Sequence, residues 1–207
     1  MLEVEPGSRV ADICCGKGSF FNYLDGCELH GVEKDPMAHR VCARLFPSTS
    51  IECADMRAMQ PIPDCDYILG NPPFVNLAVR SHPLGDEPGM VSAVSYYLER
   101  AEQSLRPDGF IAFICPDYHA RWLVNAATRR FFDAAFSSLA EVRLPRGTFP
   151  GVNIRMKAIL AQKKGRIRTN ARPLALEFND RDEVLERWRA STHYRYFRQL
   201  KELSQRP

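Results

Sequence analysis

The chain has 207 residues, of which 45% are hydrophobic, and a formal net charge of +3. This length can bury one sizeable core, so we expect one domain with at most a small appendage. No apolar run approaches the roughly 20 residues that span a bilayer, and the residues after Met1 lack the basic and then apolar pattern of a signal peptide, which indicates a cytoplasmic protein without membrane contact.

The cysteines and histidines give no sign of a metal site. The seven cysteines are odd in number and never occur in CxxC spacing, which is typical of reduced, mostly buried thiols. The five histidines form neither an HxxxH pair nor a cluster with cysteines. Because structural and catalytic zinc sites combine such residues at short spacings, we expect no bound metal.

Charge is distributed unevenly along the chain. Met1 to Gln162 contains 16 basic and 19 acidic residues, whereas Lys163 to Pro207 contains 12 and 6. An acidic body with a basic tail is consistent with an appendage that binds a polyanion, or equally with a helix whose charges solvate its own outer face. We divide the chain accordingly into a body over 1–163 and a basic C-terminal extension over 164–207.

The first half of the sequence alternates short apolar strands with turns and helices. A helix is expected to start at Ser19–Leu24. The pair Asp35-Pro36 should open a second helix that runs to about Phe46, because Asp caps helices and proline fits their first position. Strands are predicted at Arg9–Cys14, Glu28–Glu33, Ser50–Ala54 and Asp66–Leu69.

The second half continues the alternation. The turn signal Arg106-Pro107-Asp108-Gly109 separates a helix from the strand that follows it. In the extension we expect a strand at Pro173–Phe178 and a helix capped by Asn179. The remaining predicted elements are helices at Met90–Leu105 and about Tyr118–Ser137 and strands at Phe110–Cys115, Ala140–Leu144 and Ile154–Gln162.

This order of elements predicts the fold class. Strands that alternate with helices indicate an α/β fold with a doubly wound, mostly parallel sheet and helices on both faces. In such sheets, ligands bind beyond the carboxyl ends of the strands, near the point where the strand order reverses. Functional residues are therefore expected directly after the strands.

A glycine turn follows the first strand, in the sequence Asp12-Ile13-Cys14-Cys15-Gly16-Lys17-Gly18. Glycines let the backbone approach a ligand closely. A phosphate-binding P-loop requires an earlier glycine and a different lysine position, and a dinucleotide motif requires a third glycine where Phe21 stands. A ligand with an amino-acid moiety and an adenosine but no phosphate fits better, since Asp12 can orient an ammonium group.

The turn resembles the first motif, DxxxGxG, of class I S-adenosylmethionine-dependent methyltransferases, which have a Rossmann-like, seven-stranded sheet. The resemblance implies that S-adenosylmethionine is the cofactor, that Glu33 accepts hydrogen bonds from its ribose, and that Asp55 binds its adenine amino group beside the apolar wall of Met56. Each acid could instead cap a helix or end a strand in solvent. The implied cofactor-binding residues are Asp12, Cys14, Gly16, Gly18, Glu33, Asp55, Met56 and Asn71.

Asn71-Pro72-Pro73-Phe74, after the fourth strand, resembles the fourth motif of amino-group methyltransferases and implies that these four residues are catalytic. The prolines fix φ twice and remove two backbone donors. The Asn71 side-chain oxygen and the Pro72 carbonyl would hold both N–H bonds of the acceptor amino group and favour the tetrahedral geometry that frees its lone pair. Phe74 would stack on an adenine rotated out of the duplex. The alternative is a rigid turn with Phe74 in the core.

Thr148-Phe149-Pro150-Gly151 resembles the family's eighth motif, whose aromatic residue stacks on the other face of the target base. Phe149 is thus a second candidate for substrate binding, although a loop anchor is an alternative role. The resemblance covers about Arg9 to Lys163, which makes 1–163 the expected catalytic domain.

The function implied by the resemblance is that of a site-specific, adenine-specific DNA methyltransferase that modifies the N6 amino group. RNA adenine and protein glutamine are alternative acceptors, and the glutamine enzymes typically carry tyrosine at the position of Phe74. A cofactor-binding subunit of a restriction-modification assembly is the alternative from another class. Two family features are not found, a cofactor motif before the first strand and a large target-recognition domain, so a separate specificity subunit is a candidate partner.

The basic extension combines aromatic rings with guanidinium groups that can contact phosphates. We expect it to supply nonspecific nucleic-acid affinity, with a packed edge of the fold as the alternative. The residues concerned are Arg166, Arg168, Tyr194, Arg195, Tyr196 and Arg198.

Overall fold

A computed structural model describes residues 4–78, 90–117, 126–149, 151, 153–166 and 174–177. The start of the helix predicted at Tyr118 and the helix predicted after Asn179 lie outside these residues, as do Arg168 and the aromatic and basic positions from 194 to 198. Within them, no helix is long and apolar enough to cross a membrane.

Ten strands, three α-helices and one 3-10 turn make up this part of the chain. The helices are α1 (Pro36–Leu45), α2 (Ala93–Ser104) and α3 (Ala126–Ala135), and the 3-10 turn is Phe21–Tyr23. The strands are β1 (Arg9–Asp12), β2 (Glu28–Glu33), β3 (Ser50–Cys53), β4 (Cys65–Gly70), β5 (Asn76–Ala78), β6 (Met90–Ser92), β7 (Leu105–Pro116), β8 (Phe136–Arg143), β9 (Met156–Lys163) and β10 (Leu174–Glu177).

Eight strands form one sheet in the order β10-β8-β9-β7-β4-β1-β2-β3. β9 runs antiparallel to both of its neighbours, and all other pairings are parallel. The predicted doubly wound, mostly parallel sheet is confirmed, with β10 as an eighth strand beside the seven of the expected fold. The strand order reverses between β1 and β4, so a ligand site is expected above their carboxyl ends.

The sheet has a core on each face because side chains alternate along buried strands. On β4, Ile68 belongs to the core beneath α2 and α3, whereas Tyr67 and Leu69 belong to the core beneath α1. Tyr97 of α2 is fully buried in the first core. This two-sided burial explains why the strands read as continuous apolar runs.

Asp35 begins α1 as predicted. Its side chain accepts hydrogen bonds from the backbone nitrogens of Met37 at 2.8 Å and Ala38 at 2.7 Å, and Pro36 occupies the first helical turn. A cap of this kind contributes about 1 kcal/mol to helix stability. It also fixes where the chain turns away from the end of β2, directly beside the predicted ligand edge.

Four predicted boundaries are wrong. β7 begins at Leu105 rather than Phe110, so the four residues predicted as a turn, Arg106 to Gly109, lie within this strand. The helix expected at Ser19–Leu24 is only a 3-10 turn. The helix expected from Met90 begins at Ala93, because residues 90–92 form β6 and pair with β5. β8 begins at Phe136 rather than Ala140, because Phe136 already pairs with Lys163 of β9. The last two differences come from long-range strand pairing, which overrides local helical spacing.

Candidate functional site

A cavity of about 630 Å³ opens at the carboxyl edge of the sheet, where the strand order reverses. This volume lies within the range of small-molecule sites. It brings together residues from the ends of β1, β2, β3 and β4. Among the residues predicted from sequence, those that line it are Cys14, Glu33, Asp55, Met56, Asn71 and Pro73.

The two glycines of the first turn have different surroundings, so glycine is required at each position for a different reason. Both have positive φ, 56° at Gly16 and 82° at Gly18. A Cβ on Gly18 would lie 2.6 Å from Cε2 of Phe46 and 2.8 Å from Sγ of Cys42, whereas nothing lies within 4 Å of a Cβ on Gly16. Gly18 therefore permits packing against α1, whereas the space beside Gly16 is open. Neither glycine lines the cavity.

Glu33 joins the end of β2 to the glycine turn. Its Oε2 accepts a hydrogen bond from the Gly16 nitrogen at 2.7 Å, and its Oε1 accepts one from the Asp35 nitrogen at 2.7 Å. A carboxylate has about four acceptor positions, so both oxygens keep capacity for a ligand. Two backbone hydrogen bonds thus hold the carboxylate in place at the cavity wall.

Replacing Glu33 by Gln should weaken cofactor binding by about 10- to 100-fold, because hydrogen bonds to a charged group are worth about 1.5–3 kcal/mol and the amide turns a donor toward one of the two backbone N–H groups. Isothermal titration with S-adenosylhomocysteine would measure the change. Glu52→Gln, at an exposed position of β3, is the matched control. Equal affinity of the Glu33 and Glu52 variants would contradict the assigned role.

Asp12 ends β1 and, unlike Glu33, does not line the cavity. The residue is 1% exposed, and its Oδ1 accepts a hydrogen bond from the Cys14 nitrogen at 3.0 Å. Burial raises the pKa of Asp12 to about 7, with a smaller contribution from the Glu33 charge and an opposing one from the Cys14 hydrogen bond. Asp12 therefore exchanges a proton near neutrality, and a cationic ligand nearby would favour its ionised form.

Cofactor binding should depend on pH through Asp12. Below pH 7 the unliganded carboxyl is mostly neutral, so binding of an ammonium-bearing ligand must release a proton, and affinity rises with pH until the group is ionised. We expect affinity for S-adenosylmethionine to rise severalfold between pH 6 and pH 7.5. Titration calorimetry at both values tests this. Asp12→Asn should abolish the dependence, and a wild-type affinity that does not change with pH would refute it.

Asp55 lines the cavity, but its carboxylate is engaged by two cations that sequence reasoning missed. Arg57 binds both oxygens, with Nε 2.9 Å from Oδ1 and Nη2 2.6 Å from Oδ2, and Lys34 Nζ lies 3.0 Å from Oδ2. Arg57 first and Lys34 second hold the pKa of Asp55 well below its usual range. Met56 is buried, with its Sδ 3.7 Å from Cys14 Sγ.

The Asn-Pro-Pro-Phe turn leaves β4 at Gly70. Asn71 is exposed and lines the cavity, and Pro72 is buried. Phe74 is half-buried, does not line the cavity and packs against the core beneath α2. The structure therefore brings Asn71 to the predicted cofactor pocket and leaves stacking by Phe74 as a prediction.

Phe149 is half-buried in the loop between β8 and β9. Thr148 closes a local turn within this loop, since its hydroxyl donates to the Pro145 carbonyl at 2.6 Å. β8 is parallel to the strands around the cavity, so the loop lies at the same edge of the sheet. Phe149 does not line the cavity.

Lys163, the last residue of the body, and Arg166, near the start of the basic extension, lie at the other edge of the sheet, because β9 is antiparallel to its neighbours. Lys163 donates to the Leu105 carbonyl at 2.9 Å and pairs with the Glu102 carboxylate at 3.0 Å. The Arg166 nitrogen donates to Asp108 at 3.1 Å. Lys163 thus has a structural role, and Arg166 lies away from the edge that carries Asn71.

The sequence matches no protein-family model. A search of curated proteins gives no match either. Solved structures do match. One is a protein from Listeria monocytogenes classed as a class I S-adenosylmethionine-dependent methyltransferase, with 16% identity and a TM-score of 0.77, covering 91% of this chain and 64% of that one.

Two further matches are subunits of restriction systems. The methyltransferase subunit of a type I restriction-modification system from Streptococcus thermophilus has 17% identity and a TM-score of 0.71, covering 90% of this chain and 48% of that one. A protein from Vibrio vulnificus classed as the modification subunit of a type I restriction enzyme has 19% identity and a TM-score of 0.65, covering 89% and 49%.

This chain has the Rossmann-like fold of class I methyltransferases. It spans about half to two thirds of the length of these three structures. The shared fold places the cavity between β1 and β4 at the position where doubly wound sheets bind their ligands.

Proposed function

We propose that this protein is an S-adenosylmethionine-dependent methyltransferase that modifies the exocyclic N6 amino group of adenine in DNA. The observation that carries the proposal is that one cavity joins the carboxylate at the end of β2, the carboxylate after β3 and the amide of Asn71 after β4. Acceptors for a nucleoside and an acceptor for a substrate amino group thus meet in one place.

The residues of the cavity fit the proposed cofactor. The Glu33 carboxylate keeps acceptor capacity for ribose hydroxyls, and Met56 and Cys14 offer an apolar wall to a purine. Asp12 lies buried beneath the glycine turn, where its ionised form would favour an ammonium group. When bound, the cofactor would supply an electrophilic methyl group on its sulfonium sulfur.

Asn71 would bind the amino group that receives the methyl group. An exocyclic amine of a purine is a weak nucleophile because its lone pair is delocalised into the ring. The Asn71 side-chain oxygen and the Pro72 carbonyl would accept its two N–H bonds and hold the nitrogen close to tetrahedral. Since Asn71 is exposed, the proton released after methyl transfer can pass to water, and no strong general base is required.

DNA is the favoured acceptor. The Asn-Pro-Pro-Phe sequence is typical of enzymes that methylate adenine, and two of the matched structures are subunits of type I restriction systems. Both are about twice as long as the matched region. We also propose a separate specificity subunit as a partner, because the acidic body of this chain offers DNA little attraction by itself.

Methyl transfer from labelled S-adenosylmethionine to DNA, RNA and a protein extract in parallel tests the proposal. The expected result is label in DNA that appears as N6-methyladenine after digestion to nucleosides. Label only in RNA adenine or only in protein glutamine would establish one of the alternative acceptors. Cofactor binding without transfer to any of the three would support a cofactor-binding subunit instead.

A further inference from the structure

The Asp55 carboxylate is saturated with hydrogen bonds. Oδ1 accepts from the Arg57 backbone nitrogen at 3.0 Å and from Arg57 Nε at 2.9 Å. Oδ2 accepts from Arg57 Nη2 at 2.6 Å and from Lys34 Nζ at 3.0 Å. A carboxylate offers about four acceptor positions, and all four are used. Asp55 can accept a further donor only if one of these bonds is released.

The four bonds differ in how easily they are released. Three come from Arg57, two residues further along the chain. Its backbone nitrogen donates one bond and its guanidinium group donates two, in a bidentate pair. The fourth comes from Lys34, whose side chain is 70% exposed and holds Asp55 through a single contact. Ion pairs of such exposed lysines contribute little. Lys34 is therefore the group that a ligand can replace.

We infer that the Lys34 ammonium occupies the place of the cofactor's adenine amino group on Asp55 and is displaced when the cofactor binds. This inference rests on the proposed function. Lys34, Asp55 and Arg57 all line the cavity, and an ammonium and an amino group are both N–H donors to the same oxygen. Arg57 keeps Asp55 in position throughout, and Lys34 competes with the ligand.

The competition has a chemical signature. The amino group of a 6-amino purine needs the Asp55 oxygen to which Lys34 donates, so Lys34 opposes binding of this purine. A 6-oxo purine has an acceptor at that position and can receive a hydrogen bond from Lys34 while the lysine stays beside Asp55. Removal of Lys34 should thus favour the 6-amino ligand over the 6-oxo ligand, which a general loss of positive charge would not do.

The test compares binding of S-adenosylhomocysteine and S-inosylhomocysteine by titration calorimetry. Neither ligand carries the sulfonium charge, so a change in overall charge has little direct effect. Lys34→Met should bind the adenosyl ligand about two- to fivefold more tightly, the range expected for release of an exposed ion pair, and should bind the inosyl ligand equally or less tightly. Lys34→Arg keeps a cationic donor beside Asp55, so it should not show the gain for the adenosyl ligand.

Arg40→Met removes an exposed cation from α1 and serves as the matched control, with no change expected. Weaker or equal binding of S-adenosylhomocysteine by Lys34→Met would overturn the inference, as would an equal gain for both ligands or in the Arg40 variant. If wild-type protein binds neither ligand, the proposed function fails instead, so the two failures are distinguishable. Thermal unfolding confirms that each variant is folded.

Discussion

Asn71→Ala is expected to lower methyl transfer by a factor of about 100 to 1000, the usual effect of removing one group that stabilises a transition state, with little change in cofactor affinity. The amide oxygen would hold the substrate amine, whereas the cofactor would be held by Glu33, Asp55 and the glycine turn. Single-turnover transfer from labelled cofactor and calorimetric binding, measured on the same preparation, separate the two effects.

Two variants sharpen this result. Asn71→Asp keeps an acceptor oxygen and should retain measurable transfer. Asn76→Ala removes an exposed amide from β5, five residues along the same segment, and should leave transfer unchanged. A parallel loss of transfer and cofactor binding in Asn71→Ala would place Asn71 in the cofactor pocket alone and remove the argument for an amino-group acceptor.

The fold could be predicted from sequence because its signals are local. Apolar runs mark the buried strands, and Asp35-Pro36 begins α1 at the predicted residue. The element boundaries that the sequence does not predict depend on contacts between residues far apart in the chain. β6 replaces the first turn of a predicted helix because it pairs with β5, and β8 starts early because it pairs with β9. A helical period cannot report a strand partner elsewhere in the chain.

Part of the predicted site comes together in one cavity. The family resemblance places Glu33, Asp55 and Asn71 near one ligand at the carboxyl ends of three strands, and all three line the cavity, whereas their roles there stay predictions. The engagement of Asp55 by Arg57 and Lys34 was missed. Arg57 at the second position after an aspartate is a recognisable local turn, but the Lys34 contact crosses from the end of β2 to the end of β3 and requires the parallel register of those strands.

Gly70→Ala should displace the Asn-Pro-Pro-Phe turn, because the added methyl group overpacks the core beneath α2. A Cβ at this position would lie 2.6 Å from the Tyr97 hydroxyl and 2.7 Å from Tyr97 Cε2. Tyr97 is fully buried and lies against Phe113 with ring centroids 5.7 Å apart, so the ring has no room to withdraw. We expect a loss of about 1–3 kcal/mol in the free energy of unfolding, as for other overpacked cores.

The same clash should displace Asn71, the next residue, and a shift of about 1 Å in a positioning group can lower the rate about 100-fold. Urea unfolding and transfer at saturating cofactor measure both effects.

Gly7→Ala, at φ 85° with open space around it, should lower the free energy of unfolding through backbone strain without changing the activity of the folded protein. Tyr97→Leu should partly restore transfer in Gly70→Ala, because the shorter side chain vacates the contested space. If Gly70→Ala keeps full transfer, or if Tyr97→Leu gives no recovery, then contact with Tyr97 does not determine the position of Asn71.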